Sequence, residues 1–492
     1  MSLISLSVSK MREGLLKGDF TAVELCQAHL DRIEKTNQTL NSFITVCSES
    51  AHAQALAADK TLQDKKEKSP VLTGIPVSIK DMLVTKGIRT TCASKILGEF
   101  IPPYDCTAVT KLKERGAVIV GKTNLDEFAM GSSNEHSAFG PVRNPWDNSK
   151  VPGGSSGGSA VSVSVGQSAL SLGTDTGGSI RQPASLTGVY GIKPTYGRVS
   201  RYGAVAYASS LDQIGPFARS VEDLAICLEA ISGHDTHDST SMHEPVPHYL
   251  EELRAQEGKN LKGLRIGIPK EYFISGIDAE VEASVKAGLS TLESLGATLV
   301  EISLPHTEFA LAAYYIIAPA EASSNLARYD GVRYGYRSSN TKTLSEMYEH
   351  TRGEGFGREV KRRIMIGNYV LSAGYYDAFY RKAQQIRTLI VDDFKSAFAN
   401  HCDVIATPVS PTTAFSLGEN LNDAIKMYLA DVFTIPTNLA GLPGISVPCG
   451  LDSKRLPIGL QLLAAPFKES LLFSTAQAFE KACGFDGAKQ TK

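Results

Sequence analysis

The first 70 residues of the chain carry apolar side chains at helical spacing. Thr21 is followed three positions later by Glu24, which is the pattern of a capping box at the start of a helix. The apolar residues that follow fall on or near one helical face: Leu25, Cys26, Leu30 and Ile33. An alanine-rich stretch at 48–64 predicts a further helix. We therefore expect residues 1–70 to form a helical N-terminal region.

From residue 71 onwards the pattern changes to short strands that alternate with helices. Ile75, Val77 and Ile79 alternate with proline, serine and lysine, which predicts a strand. Residues 107–115 predict a helix, and a strand, a helix and a second strand follow one another again between 264 and 302. This alternation is typical of an α/β fold, in which helices cover both faces of a central mixed β-sheet.

We expect a single large domain over residues 1–492. After the helical region, residues 71–230 should form the core that carries the candidate chemistry, and residues 261–492 the α/β remainder. The polar stretch 231–260 predicts a surface connection between them. His234 and His237 have the spacing of a metal-binding pair, but no third ligand stands at a defined spacing. A solvated loop explains them better, and no metal site is predicted.

Composition excludes several classes of protein. Of 492 residues, 42% are hydrophobic, which is enough for a large buried core. The 50 Lys and Arg against 52 Asp and Glu give a net charge of −2, so no overall positive field favours nucleic acid or anionic membrane. We find no apolar run of about 18 residues and no signal-peptide pattern, so neither a membrane-spanning helix nor export is expected. The eight scattered cysteines fit unpaired thiols in a cytoplasmic protein.

Ser179 is the best candidate for a nucleophile. It ends the segment Gly-Thr-Asp-Thr-Gly-Gly-Ser at 173–179, directly after a predicted strand. A carboxamide is a poor electrophile, so its hydrolysis through an acyl-enzyme needs an activated nucleophile and a base. Glycine lets the backbone approach a ligand closely, and several N–H groups can then converge on a developing oxyanion. The predicted donors are the N–H groups of Thr176, Gly177, Gly178 and Ser179. By itself, a glycine-rich turn between strand and helix would explain the segment as well.

Ser155 lies in a second glycine-rich segment, Gly-Gly-Ser-Ser-Gly-Gly-Ser at 153–159. A flexible linker is one alternative, although apolar residues follow it. A phosphate loop would need Lys-Ser or Lys-Thr after its second glycine, and Ser159 and Ala160 stand there instead. The nucleophile elbow of α/β-hydrolases would need a strand immediately before the serine, which the sequence does not predict.

Lys80 is the candidate base, at the end of the strand predicted around Ile79. To be half neutral, its pKa must fall from about 10.4 to near 7.5, which burial and hydrogen bonds to serine can achieve. Asp81 should point to the opposite face of the strand and leave that shift intact. A surface lysine at a strand end is the alternative. No histidine has a triad context, and His136 is expected to be a polar loop residue.

Together, Lys80, Ser155 and Ser179 make the sequence resemble the amidase signature family, whose members cut carboxamides through a Ser-Ser-Lys triad. The resemblance extends over residues 74–215. It implies that Ser179 is the nucleophile, that Ser155 relays the proton and that Lys80 is the base. The family usually has a helix after the Ser155 segment. We therefore expect one at 160–165, although Ala-Val-Ser-Val-Ser-Val has strand propensity.

Within that family the chain is most similar to the glutaminase subunits of tRNA-dependent amidotransferases, on the stretches 321–337, 355–377 and 434–448. The resemblance implies that Ser179 forms a glutamyl ester with glutamine and releases ammonia. The ammonia would pass to a B subunit, which uses ATP and Mg²⁺ to activate a misacylated tRNA, while a small C subunit completes a heterotrimer. This chain itself is expected to bind no cofactor, and to meet tRNA mainly through the B subunit.

The same resemblance implies three substrate-binding residues, Tyr314, Arg363 and Asp431. Arginine suits the α-carboxylate of glutamine, and aspartate suits its α-ammonium. The neighbours Arg362 and Tyr315 leave the choice within each pair open. Two alternatives to a glutaminase subunit remain at this point. One is a free-standing amidase that acts on another small amide, and the other is a catalytically silent scaffold.

Overall fold

The computed structural model describes residues 2–273 and 276–485. The helices are α1 Val8–Lys17, α2 Ala22–Leu40, α3 Ser48–Lys65, α4 Thr107–Glu114, α5 Gly157–Ser164, α6 Arg181–Thr187, α7 Val221–Ile231, α8 Tyr249–Ala255, α9 Ala279–Ser294, α10 Ala310–Asn325, α11 Leu344–Gly355, α12 Arg358–Leu371, α13 Lys382–Asn400, α14 Ala424–Leu429, α15 Ile435–Leu439 and α16 Glu469–Cys483. The strands are β1 Phe43–Val46, β2 Pro76–Lys80, β3 Val118–Thr123, β4 Leu170–Asp175, β5 Tyr190–Lys193, β6 Gln213–Ala218, β7 Arg265–Pro269, β8 Thr298–Ile302, β9 Val404–Pro408, β10 Gly444–Leu451 and β11 Pro457–Ala464.

The strands of the described residues form one eleven-stranded sheet in the order β1-β3-β2-β4-β6-β5-β10-β11-β9-β7-β8. The pairs β3–β2, β2–β4, β9–β7 and β7–β8 are parallel, and the other neighbours are antiparallel. A single α/β domain with a mixed sheet was predicted, and the structure confirms it.

Helices cover both faces of the sheet, and strand β9 shows how its side chains divide between them. Val404 and Ala406 join one apolar cluster, which includes residues of α2, α9 and α16. Ile405, which points the other way, joins a second cluster with residues of α10, α12 and α13. Successive residues of a strand face opposite sides, so each face of this sheet has a core of its own.

The N-terminal region folds as its pattern predicts. The Thr21 hydroxyl accepts a hydrogen bond from the Glu24 N–H, and the Glu24 carboxylate accepts one from the Thr21 N–H, which completes the capping box of α2. The four apolar residues predicted to share a face of this helix are all buried: Leu25, Cys26, Leu30 and Ile33.

The stretch 231–260 differs from the simple surface connection that its polar composition predicts. It contains α8, whose Tyr249 and Leu253 are buried in the larger core, and α8 packs against α7 and α16. These two apolar residues, one helical turn apart, place α8 against that core, and Val246 and Leu250 also pack on it. Among the described residues, no helix has both the length and the apolar character needed to cross a membrane.

The neighbouring parallel strands β2 and β4 bring the candidate residues together. Ser78 pairs with Ser171, so β2 and β4 end at the same edge of the sheet, with Lys80 on one strand and Thr174 on the other. Helix α5 packs against both strands and confirms the helix expected at 160–165. All its residues are buried, so the tight packing of α5 overrides the strand propensity of its sequence.

Candidate active site

The amine of Lys80 lies among three hydroxyl groups at the end of β2. Its Nζ is 2.8 Å from the Oγ of Ser155, 2.8 Å from the Oγ of Ser156 and 2.8 Å from the Oγ1 of Thr174. The lysine side chain is fully buried. Burial lowers the pKa of Lys80 to about 7, although Asp126 and other acidic groups act to raise it. This environment favours the neutral amine that a base requires.

The Ser155 hydroxyl differs from the hydroxyls of Ser156 and Thr174 in where its proton can be donated. Ser156 donates its proton to the carbonyl of Thr174 at 3.0 Å, and Thr174 donates its own to the sulfur of Met82 at 3.2 Å. The hydroxyls of Ser156 and Thr174 can therefore only accept hydrogen bonds from the Lys80 amine. A neutral amine has two N–H groups, one for each of these hydroxyls. Its lone pair then remains for the Ser155 hydroxyl. The arrangement directs the Ser155 proton towards Lys80.

Asp81 points away from this group, as the alternation of the strand predicts. Its carboxylate lies 3.3 Å from the Nζ of Lys122 and accepts hydrogen bonds from the N–H and hydroxyl of Thr91. The charge of Asp81 is thus paired on the other face of β2. It does not hold a proton on Lys80 by direct contact.

Ser179 lies in the loop between β4 and α6. This loop contacts the segment that carries Ser155 and Ser156. The N–H of Ser156 donates to the carbonyl of Ser179 at 3.2 Å, which ties the two serine segments together. Ser179 is 8% exposed, whereas Ser155 is fully buried. Across residues 2–273 and 276–485, the Ser179 hydroxyl forms no hydrogen bond. The candidate nucleophile is therefore the least buried of the three predicted triad residues.

Asp175, at the end of β4, fixes the conformation of the Ser179 loop. Its carboxylate accepts hydrogen bonds from the N–H groups of Gly178 at 2.8 Å and Ile180 at 3.1 Å, and it pairs with the guanidinium of Arg181 at 3.0 Å. Burial acts to raise the pKa of Asp175, but the charge and hydrogen bonds of Arg181 outweigh it and hold the pKa at about 2. Asp175 is therefore a permanent anion at the base of the loop.

This anchor narrows the predicted set of oxyanion donors. The Gly178 N–H already donates to Asp175, so it is not available to a ligand in this conformation. In the described part of the chain, the N–H groups of Gly177 and Ser179 have no hydrogen-bond partner. These two, with the neighbouring Thr176, remain the predicted donors.

Gly177 and Gly178 lie so close to neighbouring side chains that neither position has room for a Cβ. A Cβ on Gly177 would lie 2.8 Å from the hydroxyl of Tyr314, and one on Gly178 would lie 2.2 Å from the Oγ1 of Thr434. Gly178 also has a φ of +141°, which side-chain-bearing residues rarely adopt. Glycine thus lets the Ser179 loop touch α10 and the segment before α15.

The structure distinguishes Arg363 from Arg362 on α12. Arg363 is buried, whereas the Arg362 side chain is 30% exposed. Nε of Arg363 donates to Glu359 at 2.9 Å, and Nη1 donates to the hydroxyl of Tyr207 at 2.6 Å. Its Nη2 forms no hydrogen bond within the residues that the structure describes. The inward guanidinium is thus oriented by two partners and keeps donors for a third.

Asp431 presents an unpaired carboxylate oxygen beside the Ser179 loop. Oδ2 accepts a hydrogen bond from Ser132, while Oδ1 is buried without a partner. A Cβ on Gly178 would lie 3.3 Å from Oδ1. Burial raises the pKa of Asp431 to about 7, against the opposing effect of the Ser132 hydrogen bond. A buried carboxylate oxygen without a partner is costly unless a cation or donor completes the site.

Sequence reasoning missed the residues that support this site. Asp175 and Thr174 stand inside the motif that carries Ser179, and a polar residue at a strand end was the only available signal. The other supporting residues are distant in sequence and carry no signal of their own: Ser132, Tyr207, Glu359 and Asn438.

No group of three metal-ligating side chains is found within 2–273 and 276–485. His237 lies 2.8 Å from the carboxylate of Asp235, and His234 stacks on His243 with ring centroids 3.7 Å apart. The backbone N–H of His136 donates to Asp126, and its side chain lines a surface cavity.

A buried lysine beside a buried serine, with a further serine in an adjoining glycine loop, is the arrangement expected of a serine hydrolase that uses lysine in place of histidine. A sequence profile of the amidase family matches residues 24–473. The chain belongs to the amidase family.

The chain is similar over its whole length to several known proteins. It is 56% identical to the A subunit of the glutamyl-tRNA(Gln) amidotransferase from Geobacter sp. strain M21, over 98% of each chain. The crystal structure of the same-named protein from Thermotoga maritima is 43% identical, with a TM-score of 0.79 over 98% of this chain and 95% of that one. The peptide amidase of Stenotrophomonas maltophilia is 28% identical, with a TM-score of 0.81 over 97% of each chain.

Proposed function

We propose that this chain is the glutamine-hydrolysing subunit of a tRNA-dependent amidotransferase. It supplies ammonia for the conversion of misacylated Glu-tRNA(Gln), Asp-tRNA(Asn) or both to the correctly amidated forms. Full-length similarity to the A subunits of glutamyl-tRNA(Gln) amidotransferases supports this assignment. The observation that carries it is a pair of complementary groups: Arg363, which has donors to spare, and Asp431, whose unpaired oxygen lies beside the Ser179 loop. Glutamine carries the complementary carboxylate and ammonium.

In the acylation step, Ser179 attacks the side-chain amide of glutamine. Its proton passes to Ser155, and the Ser155 proton passes to the neutral Lys80. The N–H groups of Gly177 and Ser179, with that of Thr176, stabilise the oxyanion; each such donor lowers the barrier by about 3–4 kcal/mol. Lys80 then returns a proton through Ser155 to the leaving nitrogen. Ammonia departs and a glutamyl ester remains on Ser179.

In the deacylation step, water attacks the glutamyl ester. The same relay through Ser155 removes a proton from the water, and glutamate leaves as Ser179 regains its proton. Tyr314 packs against Gly177 and closes this side of the loop. Arg363 and Asp431 hold the amino-acid end of the substrate during both steps and take no part in the proton transfers.

We also propose that the chain works in a complex with two other subunits. A B subunit uses ATP and Mg²⁺ to activate the tRNA-linked carboxylate and binds most of the tRNA, and a small C subunit completes a cytoplasmic heterotrimer. In this proposal, the chain itself binds neither ATP nor Mg²⁺. Its own contribution is ammonia.

A free-standing amidase is the second candidate, because the peptide amidase shares the fold at 28% identity. Ammonia release distinguishes the two. The assay uses glutamine with the chain alone, and then with its B and C subunits, ATP and misacylated tRNA. Weak release alone and strong release in the full mixture support the amidotransferase assignment. Turnover of a simple aliphatic or aryl amide by the chain alone, without glutamine hydrolysis in either mixture, would replace it with the free-standing amidase.

A further inference from the structure

One buried carboxylate, that of Asp212, is bonded to both the Ser179 loop and the segment that orients Arg363. Asp212 is 7% exposed and forms no salt bridge with any residue in 2–273 and 276–485. Burying a carboxylate without a cation is unfavourable unless hydrogen bonds replace those it made with water. Both oxygens of Asp212 accept such hydrogen bonds, and the donors come from two separate parts of the candidate site.

The first oxygen of Asp212 holds the start of the Ser179 loop. Asp175, at the end of β4, pairs with Gln213, at the start of β6, in an antiparallel register. The next residues outward, Thr176 and Asp212, therefore lie opposite each other. The Thr176 hydroxyl donates to Oδ1 of Asp212 at 2.6 Å. Because the N–H of Thr176 is a predicted oxyanion donor and the others follow it directly, this hydrogen bond restrains their direction.

The second oxygen of Asp212 holds the segment that carries Tyr207. The N–H groups of Tyr207 and Ala208 donate to Oδ2 at 2.9 Å and 3.1 Å. The N–H of Asp212 donates back to the carbonyl of Ala208 at 2.9 Å, which closes the turn. Tyr207 is fully buried, and its hydroxyl accepts a hydrogen bond from Nη1 of Arg363 at 2.6 Å. The position of Tyr207 therefore helps to determine where the Arg363 guanidinium points.

We propose that Asp212 is a positioning residue for glutamine hydrolysis, which aligns the oxyanion donors through Thr176 and the Arg363 guanidinium through Tyr207. This assignment rests on the proposed function, because it takes Arg363 as the partner of the α-carboxylate. The amide end and the amino-acid end of one glutamine molecule must fit the site together, and Asp212 ties the groups that meet them to each other. Small displacements of such groups lower the rate strongly.

The experiment measures kcat and KM for glutamine with the complete amidotransferase, ATP and misacylated tRNA. Asp212→Asn can keep its oxygen on the two backbone N–H groups, but its NH₂ group cannot accept from the Thr176 hydroxyl. We expect kcat to fall by roughly 10- to 100-fold while KM stays within about threefold of the wild type. Tyr207→Phe removes the other connection, so KM should rise by roughly threefold to tenfold while kcat changes less.

Two controls separate positioning from a general loss of structure. The first is 4-aminobutanamide, which is glutamine without its α-carboxylate. Its KM should be unchanged in Tyr207→Phe, whereas its kcat should fall in Asp212→Asn as it does for glutamine. The second is Asp223→Asn, because Asp223 is also buried and accepts a backbone N–H, that of Val8, at 2.9 Å. This variant should lower the melting temperature without changing kcat or KM.

Wild-type kcat in Asp212→Asn would overturn the proposal, and so would an equal fall in Asp223→Asn. A rise in KM for both substrates in Tyr207→Phe would also overturn it, because the effect would then not pass through Arg363. If the wild-type complex hydrolyses no glutamine, the proposed function fails, and the role of Asp212 fails with it. Glutamine hydrolysis by the wild type that Asp212→Asn leaves unchanged would instead remove the role of Asp212 alone.

Discussion

At the scale of single residues, the environment of Lys80 determines what its amine can do. Three hydroxyl oxygens surround it at 2.8 Å, and among the described residues no carboxylate forms an ion pair with it. Ser156 and Thr174 use their own protons elsewhere, so Ser155 is the hydroxyl that can donate to the amine. We therefore expect Lys80 to serve as the base, the role that histidine has in many serine hydrolases.

The pKa of Lys80 predicts the pH dependence of the reaction. Its neutral form is the base, and the pKa is lowered to about 7, so activity should fall as pH drops below about 7. We expect kcat for glutamine to decline about tenfold per pH unit on the acid side, with an apparent pKa near 7. Steady-state rates between pH 5.5 and 9 measure this. A kcat that rises only near pH 10 would mean that Lys80 is not the neutral base.

Asp431 should act on binding rather than on chemistry. Asp431→Asn removes the charge that faces the ammonium but keeps an acceptor for Ser132, so we expect KM for glutamine to rise about 10- to 100-fold and kcat to change less. Glutaramate, which lacks the α-amino group, serves as the control substrate. Its KM should not rise in the variant. An equal loss on both substrates would show that Asp431 does not bind the ammonium.

The choice of Arg363 over Arg362 can be tested in the same assay. Arg363→Gln should raise KM for glutamine about 10- to 100-fold, because the buried guanidinium is the proposed partner of the α-carboxylate. Arg362→Gln, on the more exposed side of the same helix, should leave KM within about twofold of the wild type. The reverse order of effects would transfer the role to Arg362.

At the scale of elements, the loop between β4 and α6 is central, because it carries the candidate nucleophile and the predicted oxyanion donors. Asp175 accepts a hydrogen bond from the loop, and Tyr314 and Thr434, which are distant in sequence, lie close against its glycines. The loop therefore has little freedom, and its N–H groups keep their direction without a ligand. Preorganised donors of this kind are the most effective form of oxyanion stabilisation.

Gly178→Ala should destroy activity by displacing this loop. The new Cβ would lie 2.2 Å from the Oγ1 of Thr434, and the φ of +141° is unfavourable for alanine. We expect kcat/KM to fall by about 100-fold or more, since a small misplacement of donors is costly. Gly258→Ala is the matched control, because Gly258 also has a positive φ but no atom within 4 Å of the new Cβ. Full activity in Gly178→Ala would contradict a rigid loop.

The sequence predicted the local elements better than the contacts between them. The capping box of α2, the strand that ends at Lys80 and the α/β alternation were all readable, because each depends on neighbouring residues. The meeting of Gly177 with Tyr314, and of Asp431 with Ser132, depends on how distant segments pack. Helix α5 is the intermediate case: its own propensity favours a strand, and its buried position decides the outcome.

At the scale of the whole molecule, one sheet joins two sets of residues with different tasks. The predicted triad comes from the end of β2, the segment before α5 and the loop after β4, and the proposed substrate residues come from α10, α12 and the segment before α15. Among the described residues, Tyr314 and Asp431 of the second set lie against Gly177 and Gly178 of the Ser179 loop. We expect the first set to carry out the chemistry and the second set to select the substrate.

The most direct test of this account is to trap the acyl-enzyme. The complete amidotransferase is mixed with glutamine, quenched in acid within the first turnover and digested, and the peptides are examined by mass spectrometry. We expect a glutamyl group on the peptide that contains Ser179, and none in Ser179→Ala, which should release no ammonia. A glutamyl group on another residue, or ammonia release by Ser179→Ala, would contradict it.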